Sequence, residues 1–275
     1  PRCDCDAWRN GVSGWALPEM HAGIPEMGAV DAWIEVLATI EEHKLQRTHY
    51  CGGAGDIAKF FDQVRRTLLY KMAEAAGMPP KVLRAYKAYL KELVSYNVLA
   101  GGVGIPHKRK CGMPQGCPLS MVMVALLTLP WIRLMETGQA RPRVLPDDLL
   151  FSAAGEHCDF ILPHAFRLTT EFMDKAGAKL AMPVDGKKGK CFVCASDDVT
   201  RERIRHFKWG SDRAPLPMCT AFRDLGAHLN VSCRVDGSTF TARIRGSLIA
   251  LGRLRNLPIS RDRKVTTILT HILPK

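Results

Sequence analysis

The 275-residue chain has no run of 18 consecutive apolar residues, because its greasiest stretch, Met121 to Ile132, ends at Arg133. A bilayer span needs about 20 such residues, so no membrane crossing is expected. The amino-terminal PRCDCDAWRN is polar, without the basic flank and apolar segment of a secretory signal. An initiating methionine is absent too, as in an excerpt from a longer reading frame. Internal repeats, low-complexity tracts and a Pro/Gly/Ser-rich linker are missing. Neither a GxSxG elbow nor an HExxH spacing occurs, which removes two common hydrolase readings. Acidic charge is scarce: 27 Asp and Glu stand against 39 Lys and Arg, a net of +12.

What is present is a core. At 47% hydrophobic, the chain can bury one, which excludes global disorder. Ten cysteines without a secretory signal read as reduced thiols in an intracellular compartment. Cys191 and Cys194 have CxxC spacing with only His206 nearby, and Cys3 and Cys5 are one residue apart. A structural zinc site needs four ligands in recognisable pairs, so ordinary buried thiols are expected.

The charge is uneven. Residues 1–178 hold 20 basic and 19 acidic side chains, whereas residues 179–275 hold 19 and 8, a net of 19 − 8 = +11. Clusters such as RERIRHFK (201–208) and RLRNLPISRDRK (253–264) favour a nucleic-acid partner over a merely solvated surface.

Periodicity places a helix over 28–46, with Val30, Trp33, Ile34, Leu37 and Ile40 on one face. A second covers about 63–76 with Val64, Leu68, Leu69, Met72 and Ala76 inward, stopped by Gly77. Pro79 and Pro80 open a third, carrying Leu83, Tyr86, Leu90 and Leu93. GGVG (101–104) marks a hairpin turn, and GMPQGCPLS (112–120) opens an apolar helix reaching about 136, with a bend at Pro130. Strand, tight acidic turn and strand are expected across 144–151, then a helix over 157–176. Strands near 178–182 and 190–195 flank the basic turn VDGKKGK, FRDLGAHLNV (222–231) reads as a hairpin, and helices over 239–252 and 260–272 close the chain. The order predicts an α+β fold: an antiparallel sheet with helices on one face. The expected units are a flanking or unstructured segment over 1–20, a central body over 21–231 and a basic helical region over 232–275.

The carboxylates carry the chemistry. Asp56 stands at a predicted strand end, far in sequence from the adjacent Asp147 and Asp148. Aspartates on neighbouring strand ends can point into one space, where their repulsion is costly unless cations occupy it. Magnesium suits such a site, and two ions about 4 Å apart can stabilise both oxygens of an in-line phosphoryl displacement. Taken alone, Pro-Asp-Asp is a common turn tripeptide. Asp62 reads best as a helix N-cap.

GDIAKFFD, GMPQGCPLS and LPDDLLF, in that order, resemble the three central palm motifs of reverse transcriptases of the non-LTR retrotransposon and group II intron type. Weaker resemblances follow in AGAKLAMPVDGKKGKC and FRDLGAHLN, with a matching upstream helix in GIPEMGAVDAWIEVLATIEE. The resemblance spans about 21–275 and implies a right-hand polymerase palm, ferredoxin-like, with partial fingers and the start of a helical thumb. It implies Asp56 and Asp147 as principal metal ligands, Asp148 beside them, and the Ile57 carbonyl as a supplement. Phe61 matches the aromatic that excludes a ribose 2′-hydroxyl, with a core phenylalanine as the competing reading. Pro114, Gln115 and Gly116 would hold template and incoming base; Lys187, Lys188 or Lys190 would supply a cation near the leaving pyrophosphate; Leu225 and Gly226 would form the primer grip.

The implied activity is RNA-directed DNA polymerisation by a retroelement enzyme. It would use two Mg²⁺ (Mn²⁺ as a substitute), a dNTP, an RNA template and a DNA primer or RNA/DNA hybrid, with no membrane partner. The chain would belong to a longer polyprotein acting on nuclear or organellar nucleic acid. Departures from the family pattern lie at Leu145 and Pro146, where an aromatic and a small residue are usual, and in the mere 55 residues before Asp56. They motivate the alternative of a degenerate, inactive relative that binds RNA or DNA.

Overall fold

Helix α1 (Ala29–Gln46) begins where the Asp31 carboxylate accepts the Gly28 amide at 2.9 Å and ends at Arg47, which turns left-handed. The computed structural model describes residues 8, 14–24, 27–145, 148–176, 191–206, 208–209, 214–224, 227–232 and 238–272. After α1 come strand β1 (Tyr50–Asp56), the single turn α2 (Phe60–Gln63), and helices α3 (Arg66–Ala75) and α4 (Pro80–Glu92). Two nested ribbons follow: β2 (Val94–Ser95) and β5 (His107–Lys108) enclose β3 (Val98–Leu99) and β4 (Gly102–Val103). Their turn is Ala100-Gly101, both at positive φ, the backbone that a two-residue hairpin loop favours. Half of GGVG therefore lies in strand rather than in the turn.

Helix α5 (Pro118–Thr137) leads to β6 (Arg141–Leu145), β7 (Asp148–Ala154), α6 (Cys158–Ala176), β8 (Phe192–Ala195) and α7 (Asp198–Arg205). Then come the ribbon β9 (Lys208–Trp209) and β10 (Ala214–Pro215), strand β11 (Met218–Cys219) and the hairpin β12 (Ala221–Asp224) and β13 (Ala227–Asn230). Helices α8 (Ser238–Arg255) and α9 (Arg261–Thr267) follow, the latter running into a π-turn at Ile268–Ile272. The strand expected at 178–182 lies outside the described residues.

The main sheet has the order β11-β8-β1-β7-β6 and is antiparallel except for β11, which runs parallel to β8. Residue parity sorts its faces. Cys51, Leu149, Phe151, Ala153 and Val193 join the main core with Trp131 of α5 and Phe166 of α6. Tyr50, Leu150 and Cys194 point the other way, into a smaller cluster with Val36 and Ile40 of α1 and Phe222 and Leu229 of the β12–β13 hairpin. The two longest core helices thus share one face, as expected for this α+β fold. The structure adds α1 and the hairpin over part of the opposite face.

Several side chains differ from the sequence expectation. The buried face of α1 is Ala32, Val36, Ile40 and His43, while Val30 and Ile34 are exposed. Of the expected flanking segment 1–20, Trp15 and Met20 are buried in the core, and Met20 bridges to Val144 on the β6 edge. Helix α5 has the length and the mean hydropathy, 1.6, of a bilayer span, yet 61% of that window is buried inside the protein. Ser120, Thr128 and Arg133 interrupt its apolar run, so a count of consecutive residues passes over it. Thr128 keeps its hydroxyl satisfied within the helix, on the Val124 and Ala125 carbonyls.

Candidate active site

Strand β1 ends at Asp56 and β7 begins at Asp148, and the two are directly paired across the antiparallel ladder. Side chains so opposed stand about 5 Å apart at Cβ and share a face of the sheet. Parity puts them on the face of Ala54 and Leu150, beyond the part that α1 covers. Both are half-buried. Two like charges directly opposite each other are destabilising on their own, and an all-oxygen pair of this kind fits a hard divalent cation. Leu145 pairs with Asp148, leaving only 146–147 between β6 and β7. Asp147, with Pro146, lies outside the described residues. So do Lys187, Lys188, Lys190, Leu225 and Gly226.

The strands on either side of Leu225 and Gly226, β12 and β13, are described, and they lie on the same face as the aspartates. Phe222 of β12 packs on Phe192 with ring centroids 4.9 Å apart, and Phe192 pairs with Ala54, two residues before Asp56. Ile57 is buried in the main core, so its side chain anchors the end of β1. Lys59 then holds a left-handed backbone, φ 47°, at the head of α2.

The second motif docks onto the residues after Asp56. The Met113 amide donates to the Phe61 carbonyl at 2.7 Å and the Gly112 amide to the Val64 carbonyl at 2.8 Å. Gly112 is required there: its φ is +76°, and a Cβ would sit 2.5 Å from the Phe61 carbonyl oxygen. Arg66 ties the same loop down, donating Nε to the Gly112 carbonyl at 2.7 Å and Nη1 to the Leu90 carbonyl at 2.8 Å. At the far end, the buried Ser120 hydroxyl donates to the Pro114 carbonyl at 2.9 Å. The outcome is a cavity of about 300 Å³ bordered by Asp62, Arg66, Arg109, Met113, Pro114 and Gln115. Gln115 and Gly116 are exposed, and Gly116 has φ +84° with open space around it.

Phe60, not Phe61, is the fully buried ring; Phe61 is half-buried and packs on the core's margin, edge-on to Phe60. Asp62 is not an N-cap: it lies inside α2, and Arg65 holds the cap position of α3, the helix expected from 63; its carboxylate pairs with Arg109 at 2.5 Å. Sequence reasoning missed Arg66 and Arg109. The basic run Lys108-Arg109-Lys110, immediately before the GMPQG loop, was the available signal for the second.

The basic cluster 201–208 proves largely ion-paired. Arg201 meets Asp198, Arg203 meets Asp159 at 3.3 Å, and Arg205 and His206 meet Glu202 at 3.0 and 3.4 Å. Its charge is therefore mostly neutralised locally. Cys191, just before β8, and Cys194 within it are buried in different clusters, so the CxxC spacing does not present a ligand pair. Burial raises the Cys191 thiol to about 11. All seven described cysteines are free thiols, and among the described residues no group of three His, Cys, Asp or Glu side chains could hold a metal ion.

A family model described as "Reverse transcriptase (RNA-dependent DNA polymerase)" matches residues 16–193, more than half of the chain. No curated protein matches it in sequence. Among solved structures it resembles telomerase from Candida tropicalis in complex with a TWJ fragment of telomeric RNA, at 12% identity and a TM-score of 0.51, covering 90% of this chain and 42% of that one. Apo telomerase from the same organism, truncated from its C-terminal domain, matches at 12% identity and a TM-score of 0.49, covering 72% and 38%. The chain spans less than half the length of either, and the likeness is one of fold.

Proposed function

The chain belongs to the reverse transcriptase family, and from that premise we propose that it carries the palm of an RNA-directed DNA polymerase that extends a primer 3′-hydroxyl with dNTPs. The observation that supports this most is the direct pairing of Asp56 with Asp148 at the open end of the sheet. With Asp147, the remaining carboxylate of the motif, they would hold two Mg²⁺ ions, with the Ile57 carbonyl as a supplement and Mn²⁺ as a substitute. Bound there, the ions would neutralise charge on the attacking and leaving oxygens of the transfer. The protein's own part is positioning. Pro114, Gln115 and Gly116, held by Arg66 and Ser120, would seat template and incoming base beside Phe61, whose half-buried ring would crowd a ribose 2′-hydroxyl.

The β12–β13 hairpin would hold the primer on the aspartates' face, with Leu225 and Gly226 as the grip. Lys187, Lys188 or Lys190 would face the leaving pyrophosphate. The basic helices α8 and α9 would track nucleic-acid phosphates as the start of a thumb, giving an affinity that falls with salt. The parent would be a retroelement polyprotein of the non-LTR or group II intron type, acting in the nucleus or an organelle.

Primer extension tests this. The full-length protein with Mg²⁺, dNTPs and a primed RNA template should extend the primer, and Asp56→Asn should lower extension at least a hundredfold while primer–template binding persists. Binding without extension by the unaltered protein would leave only a nucleic-acid-binding relative.

A further inference from the structure

The nested ribbons between α4 and the second motif carry six large apolar side chains exposed to solvent, from Val94 to Ile105, and the transfer chemistry uses none of them. From Leu93 to Pro106 the chain holds no charged residue, whereas the flanks, 87–92 and 107–110, hold five Lys and Arg against the single Glu92. At the tip, Val98 and Val103 are cross-strand partners, and the Gly104 amide extends the ladder to the Asn97 carbonyl at 2.7 Å. Alternation then sets Tyr96 and Ile105 on the face of the two valines, with exposure rising from 55% at Tyr96 to 87% at Ile105. The stem beneath this face is fixed. Arg66 donates to the Leu90 carbonyl before the ribbons and to the Gly112 carbonyl after them, and Lys108 donates to Glu92 across the stem at 2.7 Å. Leu93 and Ser95, at the root, line the same cavity as Pro114 and Gln115.

We propose that these ribbons form a wedge that parts base pairs in a folded template as it approaches the cavity, a function that rests on the polymerase reading above. An exposed apolar patch of this kind marks a contact surface. Without charge, the face formed by Tyr96, Val98, Val103 and Ile105 has no attraction for phosphates, so it does not track a backbone. It matches instead the flat, apolar face of a base pair, against which aliphatic side chains lodge when a step is unstacked. The Tyr96 ring adds a platform on which a freed base can stack.

Two features favour nucleic acid over a protein surface as the occupant. The first is charge: the cationic flanks, with Lys91, Lys108 and Lys110, suit the phosphates on either side of an opened pair. The second is continuity, since the root of the ribbons and the residues read as seating the template base wall one cavity. A template base that reaches Gln115 therefore passes the root. The fixed stem gives the wedge its purchase, because a ribbon free to swing would yield to the duplex rather than divide it.

The test uses the whole chain, bound without dNTP to a primer–template whose template strand runs directly into an RNA duplex, with 2-aminopurine in the first pair of that duplex. The probe brightens when unstacked, so its emission should rise severalfold on binding. Val98→Ser combined with Ile105→Ser, both at exposed positions, should abolish the rise while circular dichroism and primer–template affinity stay unchanged. In primer extension the same variant should slow about tenfold on the duplex-bearing template and not at all on an open one. A wild-type chain that leaves the probe dark overturns the wedge, as does a double variant that matches the wild-type rise. A probe dark with both chains, together with a wild-type dimer that the substitutions dissociate, would assign the face to a second copy instead. A chain that extends neither template refutes the polymerase reading, and the fluorescence still decides whether the ribbons part base pairs.

Discussion

Replacing Gly53 by alanine tests why the strand bearing Asp56 is so rich in glycine. Gly53 lies mid-strand in β1, paired with Phe151 on one side and Val193 on the other. A Cβ there would lie 2.4 and 2.7 Å from the Cε2 and Cζ atoms of Phe166 and 3.1 Å from Phe151 Cε2. Both rings are buried and pack edge-on with centroids 4.6 Å apart, so neither has room to retreat. Overpacking of this kind costs about 1–3 kcal/mol. The stiffer unfolded chain of an alanine variant offsets about 0.4–1 kcal/mol of that at most. At about 2–4 °C per kcal/mol for chains of this size, the midpoint of thermal unfolding should fall by several degrees. The control is Gly246→Ala on α8, where a Cβ meets nothing within 4 Å. Helix propensity there should stabilise by about 0.5–1 kcal/mol. Circular dichroism melts of both variants are decisive: a Gly53→Ala chain as stable as its parent would refute the packing argument.

Asp197→Ala should cost about 1 kcal/mol through the lost N-cap of α7, and the penalty should depend on pH in both directions. Burial raises the Asp197 carboxyl, but hydrogen bonds from His49, Thr200 and Ser196 outweigh it and hold the group far below its ordinary 3.8, so its contribution fades as pH falls below that value. The Asp197 hydrogen bond raises His49 above its ordinary 6.5, so that contribution fades as pH rises through the raised value. Urea unfolding of both chains should show the largest gap between about pH 4 and 6.5; a gap that keeps widening toward pH 9 would contradict the pairing. Arg66→Ala removes two charge-assisted bonds to backbone carbonyls and should cost about 1.5–3 kcal/mol. Amide exchange should quicken at residues 112–113, and unchanged protection there would show that the arginine does not hold the loop.

Helices with strong punctuation were legible in the sequence: Gly77 closes the turn after α3, Pro80 opens α4, and the GMPQGCPLS loop delivers α5. That Asp56 ends a strand was legible, whereas the pairing of Asp56 with Asp148 inside β7 was not, since the expected turn included Asp148 and the convergence was placed on Asp147. Which face of α1 is buried was not, since Val30 and Ile34 are as apolar as Val36 and Ile40, and only the sheet decides between them. Helix α7 escaped notice because it buries only Thr200 and Ile204, so its arginines read as a charge cluster rather than as ion pairs with Asp159, Asp198 and Glu202. The anchoring of the second motif was hidden for a related reason. Arg66 and Gly112 are 46 residues apart, and a side-chain bond to a distant carbonyl leaves no periodic trace.

The central claim is that Asp56, Asp148 and the intervening Asp147 share divalent cations. Manganese binding followed by electron paramagnetic resonance, on the full-length protein with primer–template and dNTP present, measures it directly. The unaltered protein should bind two ions, and Asp56→Asn should weaken that binding at least tenfold with its circular dichroism unchanged. Equal manganese affinity in the two proteins would contradict the claim.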